Sequence, residues 1–94
     1  MGYSLIDSEL YAWARNHGLQ IFTEYKDCEV RTTDVVSSSG KKKCQIWVDP
    51  SFFFTFTINV WDYKKRRVRI RAWKLNIRTK LEEAYKTAES WLNP

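Results

Sequence analysis

The sequence predicts an α+β fold: an antiparallel β-meander of four to five strands, with an N-terminal and a C-terminal helix packed on one face. Two observations carry this. Apolar residues recur at three- and four-residue steps only near the two ends of the chain, whereas the middle alternates apolar and polar residues with a period of two. Turn-forming residues separate the alternating runs at short intervals, which suits hairpins better than parallel crossovers.

The first helix is expected over residues 5–17. Ser4 is placed to cap it, and Asp7 stands three residues on, where the helix dipole favours a carboxylate. Ile6, Leu10, Trp13, Ala14 and His17 share one face. Gly18 then stands where a left-handed residue ends a helix, and Leu19 supplies the apolar contact that follows it.

Leu19, Ile21, Thr23 and Tyr25 alternate as a first strand, broken near Lys26-Asp27. Cys28 to Val36 continues in extended style, and Ser37-Ser38-Ser39-Gly40-Lys41-Lys42-Lys43 reads as a hairpin loop. Cys44 to Val48 alternates again before the turn at Asp49-Pro50. In the next strand Phe52, Phe54, Phe56, Ile58 and Val60 fall on one side, and Phe53, Thr55, Thr57, Asn59 and Trp61 on the other. A turn through Asp62-Tyr63-Lys64-Lys65 leads to the last strand. The final helix carries a Thr79-x-x-Glu82 capping box, an apolar stripe of Leu81, Ala84, Tyr85, Ala88, Trp91 and Leu92, and a Glu82–Lys86 pair on its wet side.

At 94 residues the chain reads as one domain, spanning residues 1–94. A domain of that size buries roughly 60–65% of its unfolded surface, which leaves little room for a deep catalytic cleft. Aromatic residues make up 16% of the chain, with five each of Trp, Tyr and Phe, and that excludes a disordered tail. No apolar run approaches the roughly 18 residues that span a bilayer. The segment Met1 to Glu9 holds Asp7 and Glu9 and no basic n-region, so no signal peptide, no membrane partner and a cytoplasmic location are expected. In that reducing compartment Cys28 and Cys44 are expected as free thiols.

Charge is the most informative feature. The net charge is +5, but residues 1–40 hold three basic and six acidic side chains, whereas residues 41–94 hold thirteen basic and five acidic. Nine Lys or Arg and no acid lie between Tyr63 and Leu81. Such a basic half points to an acidic or polyanionic partner.

Two helices with one apolar stripe each cover one face of a sheet and leave the other in water. If Val68, Ile70 and Ala72 face the core, Arg67, Arg69, Arg71 and Trp73 stand on the bare side. Trp47, Asn59 and Trp61 join them by the same parity, and Lys64 and Lys65 extend the basic surface through the adjoining turn. Arg and Trp are the residues most enriched at binding hot spots, because each combines large contact area with directional donors. These nine residues form the expected partner-binding set.

Catalysis has little support. One histidine builds no Ser/His/Asp or Cys/His set, three scattered glycines make no phosphate loop, and no metal-ligand spacing is present. No cofactor, metal or catalytic residue is therefore expected. Three functions remain: a protein-binding module, an RNA or single-stranded-DNA binder using the same face, and a small basic ribonuclease working through Arg, Lys and Tyr. The helix–sheet–helix order resembles the double-stranded-RNA-binding fold, but that family's Lys-rich start to the last helix is echoed only by Arg78-Thr79-Lys80, with Glu82-Glu83 following.

A short first helix, strand segments Gln45-Ile46-Trp47-Val48-Asp49 and Thr57-Ile58-Asn59-Val60-Trp61-Asp62, and a last helix ending Glu89-Ser90-Trp91-Leu92 together resemble the small immunity proteins that neutralise bacterial toxins. The resemblance lies in architecture across most of the chain. It implies a non-enzymatic inhibitor that covers its toxin with a charged, aromatic surface. Many such inhibitors of nucleases are acidic, whereas this chain is basic, so the implied toxin presents an acidic contact surface or meets the acidic first forty residues.

Overall fold

The structure is a computed structural model that describes residues 2–94; Met1, the first residue of the segment read for a leader, lies outside the described residues. A 3-10 turn at Tyr3–Leu5 leads into α1 (Asp7–Asn16). Five strands follow: β1 (Phe22–Tyr25), β2 (Cys28–Val36), β3 (Lys43–Pro50), β4 (Thr55–Trp61) and β5 (Arg67–Trp73). A second 3-10 turn at Lys74–Asn76 then opens α2 (Ile77–Leu92). The strands form one open antiparallel sheet in the order β1-β2-β3-β4-β5, so the meander is complete and β1 and β5 are its edges.

The end of α1 follows from Gly18, which has φ +66°. That conformation lets the Gly18 N–H reach the Arg15 carbonyl (3.2 Å) and the Leu19 N–H reach the Ala14 carbonyl (2.8 Å), the pair of bonds that defines a Schellman ending. Leu19 then packs against the core. The β1–β2 hairpin closes through Lys26 (φ 50°) and Asp27 (φ 64°), two left-handed residues between the paired Tyr25 and Cys28, as a type I′ turn requires.

One side of the sheet is dry. Ile46 and Val48 from β3, Phe56, Ile58 and Val60 from β4, and Ala72 from β5 meet Ile77, Leu81, Ala84, Ala88 and Leu92 of α2. Ile6, Leu10, Trp13 and Ala14 complete the core from the α1 side. Arg31 also lies on this side, where its guanidinium grips Asp7 with two bonds of 3.0 and 3.1 Å and ties β2 to α1. Cys28 is exposed, Cys44 is buried, and both are free thiols; burial pushes the Cys44 thiol pKa up.

Several local expectations need correction. Strand β1 starts at Phe22 rather than Leu19, and Asp49 and Pro50 end β3, paired with Thr57 and Phe56, so the turn falls after them. Helix α1 starts at Asp7 rather than residue 5, and Ser4, inside the 3-10 turn, makes no capping bond. Helix α2 starts at Ile77, two residues before Thr79, because the 3-10 turn feeds directly into it; Thr79 is exposed inside the helix. Glu82 reaches neither a cap nor Lys86 but the His17 ring, at 2.8 Å from Nε2, while His17 stacks on Tyr85 with ring centroids 3.8 Å apart. Strand β4 begins only at Thr55, so Phe56, Ile58 and Val60 enter the core while Phe52 and Phe54 remain 78% and 51% exposed. The reversal falls at Phe53 and Phe54, with φ 54° and 61°, a conformation rarely taken by bulky residues.

No Cβ clash threatens a side chain at position 18, so the cost of replacing Gly18 is its backbone conformation alone. Gly18→Ala is expected to lower unfolding free energy by about 1–2 kcal/mol, read as a reduced urea midpoint at unchanged m-value. A midpoint equal to that of the wild type would mean that the helix ending is not held as described.

Candidate partner-binding face

Directly opposed residues of an antiparallel pair share a face, so the register places the bare side in rows. One row is Trp47, Asn59 and Arg69; a second is Gln45, Trp61 and Arg67; a third is Asp49, Thr57 and Arg71; a fourth pairs Thr55 with Trp73. The parity of β5 is as the sequence predicts. Arg67, Arg69, Arg71 and Trp73 are exposed and Ala72 is buried, whereas Val68 and Ile70 are only partly covered because β5 is an edge.

Arg67, Arg69 and Arg71 have no carboxylate within ion-pair distance among the described residues, in contrast to Arg31, Arg66 and Arg78. Arg67 stands over the Trp47 ring at 5.1 Å, a contact worth about 0.5–1 kcal/mol at an exposed site. The three guanidinium groups, with Asp49, Thr57 and Asn59, line a shallow groove of about 410 Å³. A groove of unpaired arginines on a rigid sheet is suited to carboxylates or phosphates, which the planar fork grips bidentately.

The other predicted site residues are placed less uniformly. Asn59 is on the expected face yet only 1% exposed; its Nδ2 donates to Asp49 Oδ2 at 3.0 Å, which the Trp47 Nε1–H also reaches at 3.2 Å. It therefore supports the floor of the groove rather than meeting a partner. Trp47 and Trp61 are half-buried, and Trp61 packs on Tyr63 with centroids 4.7 Å apart. Lys64 and Lys65 are exposed at the turn beyond Arg67. That turn is shaped by Asp62, whose Oδ1 accepts the N–H groups of Lys64 and Arg66 at 2.9 and 3.1 Å. Desolvation works against the charged Asp62, but those N–H groups and the Arg66 side chain together hold its pKa below the usual carboxylate range.

Of an apolar extension at the opposite end, sequence reasoning named Trp73 but missed Phe54 and Leu75. Phe54, Trp73 and Leu75, 51%, 54% and 97% exposed, surround a hollow of about 520 Å³ together with Lys74 and Asn76. Phe52 and Phe53 lie exposed beside it in the β3–β4 turn. The loss of alternation after Trp73, where Lys74-Leu75-Asn76 no longer follows strand parity, was the available signal. The arginine ladder thus runs along β5 into an apolar patch.

Among the described residues, no group of three or more His, Cys, Asp or Glu side chains converges to hold a metal ion, and no helix is long and apolar enough to cross a membrane. Compared with protein-family models, with curated proteins and with solved structures, the chain matches none.

The burial of Asn59 separates the floor of the groove from its rim. Asn59→Ala is expected to cost about 1–2 kcal/mol in chemical denaturation, since it removes a buried amide and its bonds. Arg69→Ser and Arg71→Ser, at exposed positions, are expected to stay within about 0.5 kcal/mol of the wild type. Equal losses for all three would show that the arginines hold the fold together rather than standing free.

Proposed function

We propose that this protein is a non-enzymatic binding module that docks an acidic protein surface on the open face of its sheet, as an immunity-type inhibitor covers a toxin. The carrying observation is the set Arg67, Arg69 and Arg71: three neighbouring guanidinium groups on one bare face, none of them in an ion pair among the described residues. Apart from the Arg67 contact with the Trp47 ring, these charges have no partner within the fold among the described residues, and they are available to a partner molecule.

Three features favour protein over nucleic acid. Asp34 and Asp49 share the face with the arginines, and a phosphate backbone tracking across the sheet would meet them. The aromatic faces that base stacking needs are partly taken: Arg67 covers Trp47, and Tyr63 packs on Trp61. By contrast, the patch of Phe54, Trp73 and Leu75 supplies the apolar anchors typical of a protein hot spot. A ribonuclease reading would need a base. His17 is engaged by Glu82 and Tyr85, and Tyr63 donates its hydroxyl to Asp34 while burial and then Asp34 push its pKa up.

Titration with mixed-sequence RNA and single-stranded DNA between about 50 and 200 mM salt is expected to give no saturable binding. Micromolar affinity with a steep salt slope would move the face to nucleic acid. In co-expression with the adjacent gene product as candidate toxin, protection of growth is expected from the wild type and not from R67S/R69S/R71S. Undiminished protection by that variant would remove the arginines from the account.

A further inference from the structure

The backbone of β5 adds a second constraint to the same surface. The Lys74 N–H bonds the Phe54 carbonyl (3.0 Å) and the Asp62 N–H bonds the Arg66 carbonyl (3.2 Å). These bonds flank the pairs Thr55–Trp73 and Trp61–Arg67, which marks both as non-hydrogen-bonded pairs of the antiparallel ladder. Counting inward by twos, Val68, Ile70 and Ala72 spend both backbone groups on β4. Arg67, Arg69, Arg71 and Trp73 turn theirs away from it. The Trp73 N–H confirms this direction, because it is met by Asn76 Oδ1 at 2.7 Å, and there the edge ends. Between the Asp62 turn and Asn76, the outward N–H and C=O groups of Arg67, Arg69 and Arg71 have no partner strand among the described residues.

The same three residues therefore present unpaired guanidinium groups on the open face and unpaired backbone groups at the edge. On the opposite face Val68 and Ile70 remain partly uncovered, although their β4 neighbours Val60 and Ile58 are fully buried. An edge of this kind invites another strand. A second copy of the chain is a poor occupant: antiparallel pairing of β5 with itself sets Arg opposite Arg, and like charges facing each other destabilise a ladder.

We propose that the β5 edge is a strand-addition site for an extended partner segment with acidic residues at alternate positions and apolar residues between them. This rests on the reading of the open face as a dock for an acidic protein. In antiparallel register the acidic residues lie opposite Arg67, Arg69 and Arg71, exchanging backbone hydrogen bonds with them while their carboxylates meet the guanidinium groups. The intervening apolar residues extend the core over Val68 and Ile70. Main-chain bonds supply affinity and the alternate side chains supply specificity.

The test is calorimetric titration with four capped peptides: alternating Glu-Val-Glu-Val-Glu, its block isomer Glu-Glu-Glu-Val-Val, and the alternating peptide N-methylated either at Glu or at Val. In the proposed register the Glu N–H groups face β5 and the Val N–H groups face away. The unmodified and Val-methylated alternating peptides are therefore expected to bind at least about tenfold more tightly than the other two. Equal, salt-sensitive binding of all four that is lost in R67S/R69S/R71S would overturn strand addition while leaving the acidic-surface reading in place. Absence of binding by any acidic peptide, with RNA retained on the same protein, would overturn both.

Discussion

Two amphipathic helices have one apolar stripe each, and a five-stranded sheet has two faces. Everything distinctive about this protein follows from that mismatch of area. Helix α2 lays Ile77, Leu81, Ala84, Ala88 and Leu92 on the sheet, and α1 seals the core beside it with Leu10, Trp13 and Ala14. Nothing among the described residues is left to cover the second face. A bare antiparallel face must be polar to stay in water, which is why the outward positions of β3, β4 and β5 are Gln, Trp, Asp, Thr, Asn and Arg rather than Val and Ile.

What those outward residues are is a separate matter from their being polar. A sheet shielded only for solubility would intersperse charges of both signs. Here the acids of the face are engaged internally: Asp49 holds Asn59 and Trp47, and Asp34 receives the Tyr63 hydroxyl. The arginines of β5 are left over. Their location on an edge strand gives them a double character, since the same positions carry free side-chain and free backbone donors. The charge that discourages self-pairing is also what selects an acidic companion.

The architecture was legible because its signals are periodic. The α2 stripe and the two-residue alternation of β3 to β5 can be read directly, and parity alone assigned Arg67, Arg69 and Arg71 to the open side. Element starts were less legible, because both helices are entered through 3-10 turns and neither α1 nor α2 has a side-chain cap at its first turn; Thr79 and Glu82 satisfy the capping pattern at the wrong place, since Ile77 is already needed in the core. The phenylalanine run misled for a similar reason. Phe favours strands, so the left-handed turn at Phe53 and Phe54 has no residue-level cue. Asn59 shows a further limit: parity gives the face on which a side chain stands but not its depth, and between Trp47 and Arg69 a short amide lies beneath its longer neighbours.

The docking surface exists only if β5 is an open edge, and amide hydrogen exchange at single-residue resolution reads this most directly. Val68, Ile70 and Ala72, bonded to β4, are expected to exchange slowly, and Arg67, Arg69 and Arg71 to exchange close to the rate of unstructured peptide, in strict alternation along the strand. Protection of the three arginine amides equal to that of Val68 and Ile70 would mean that the edge is already occupied, and the open docking surface would not exist.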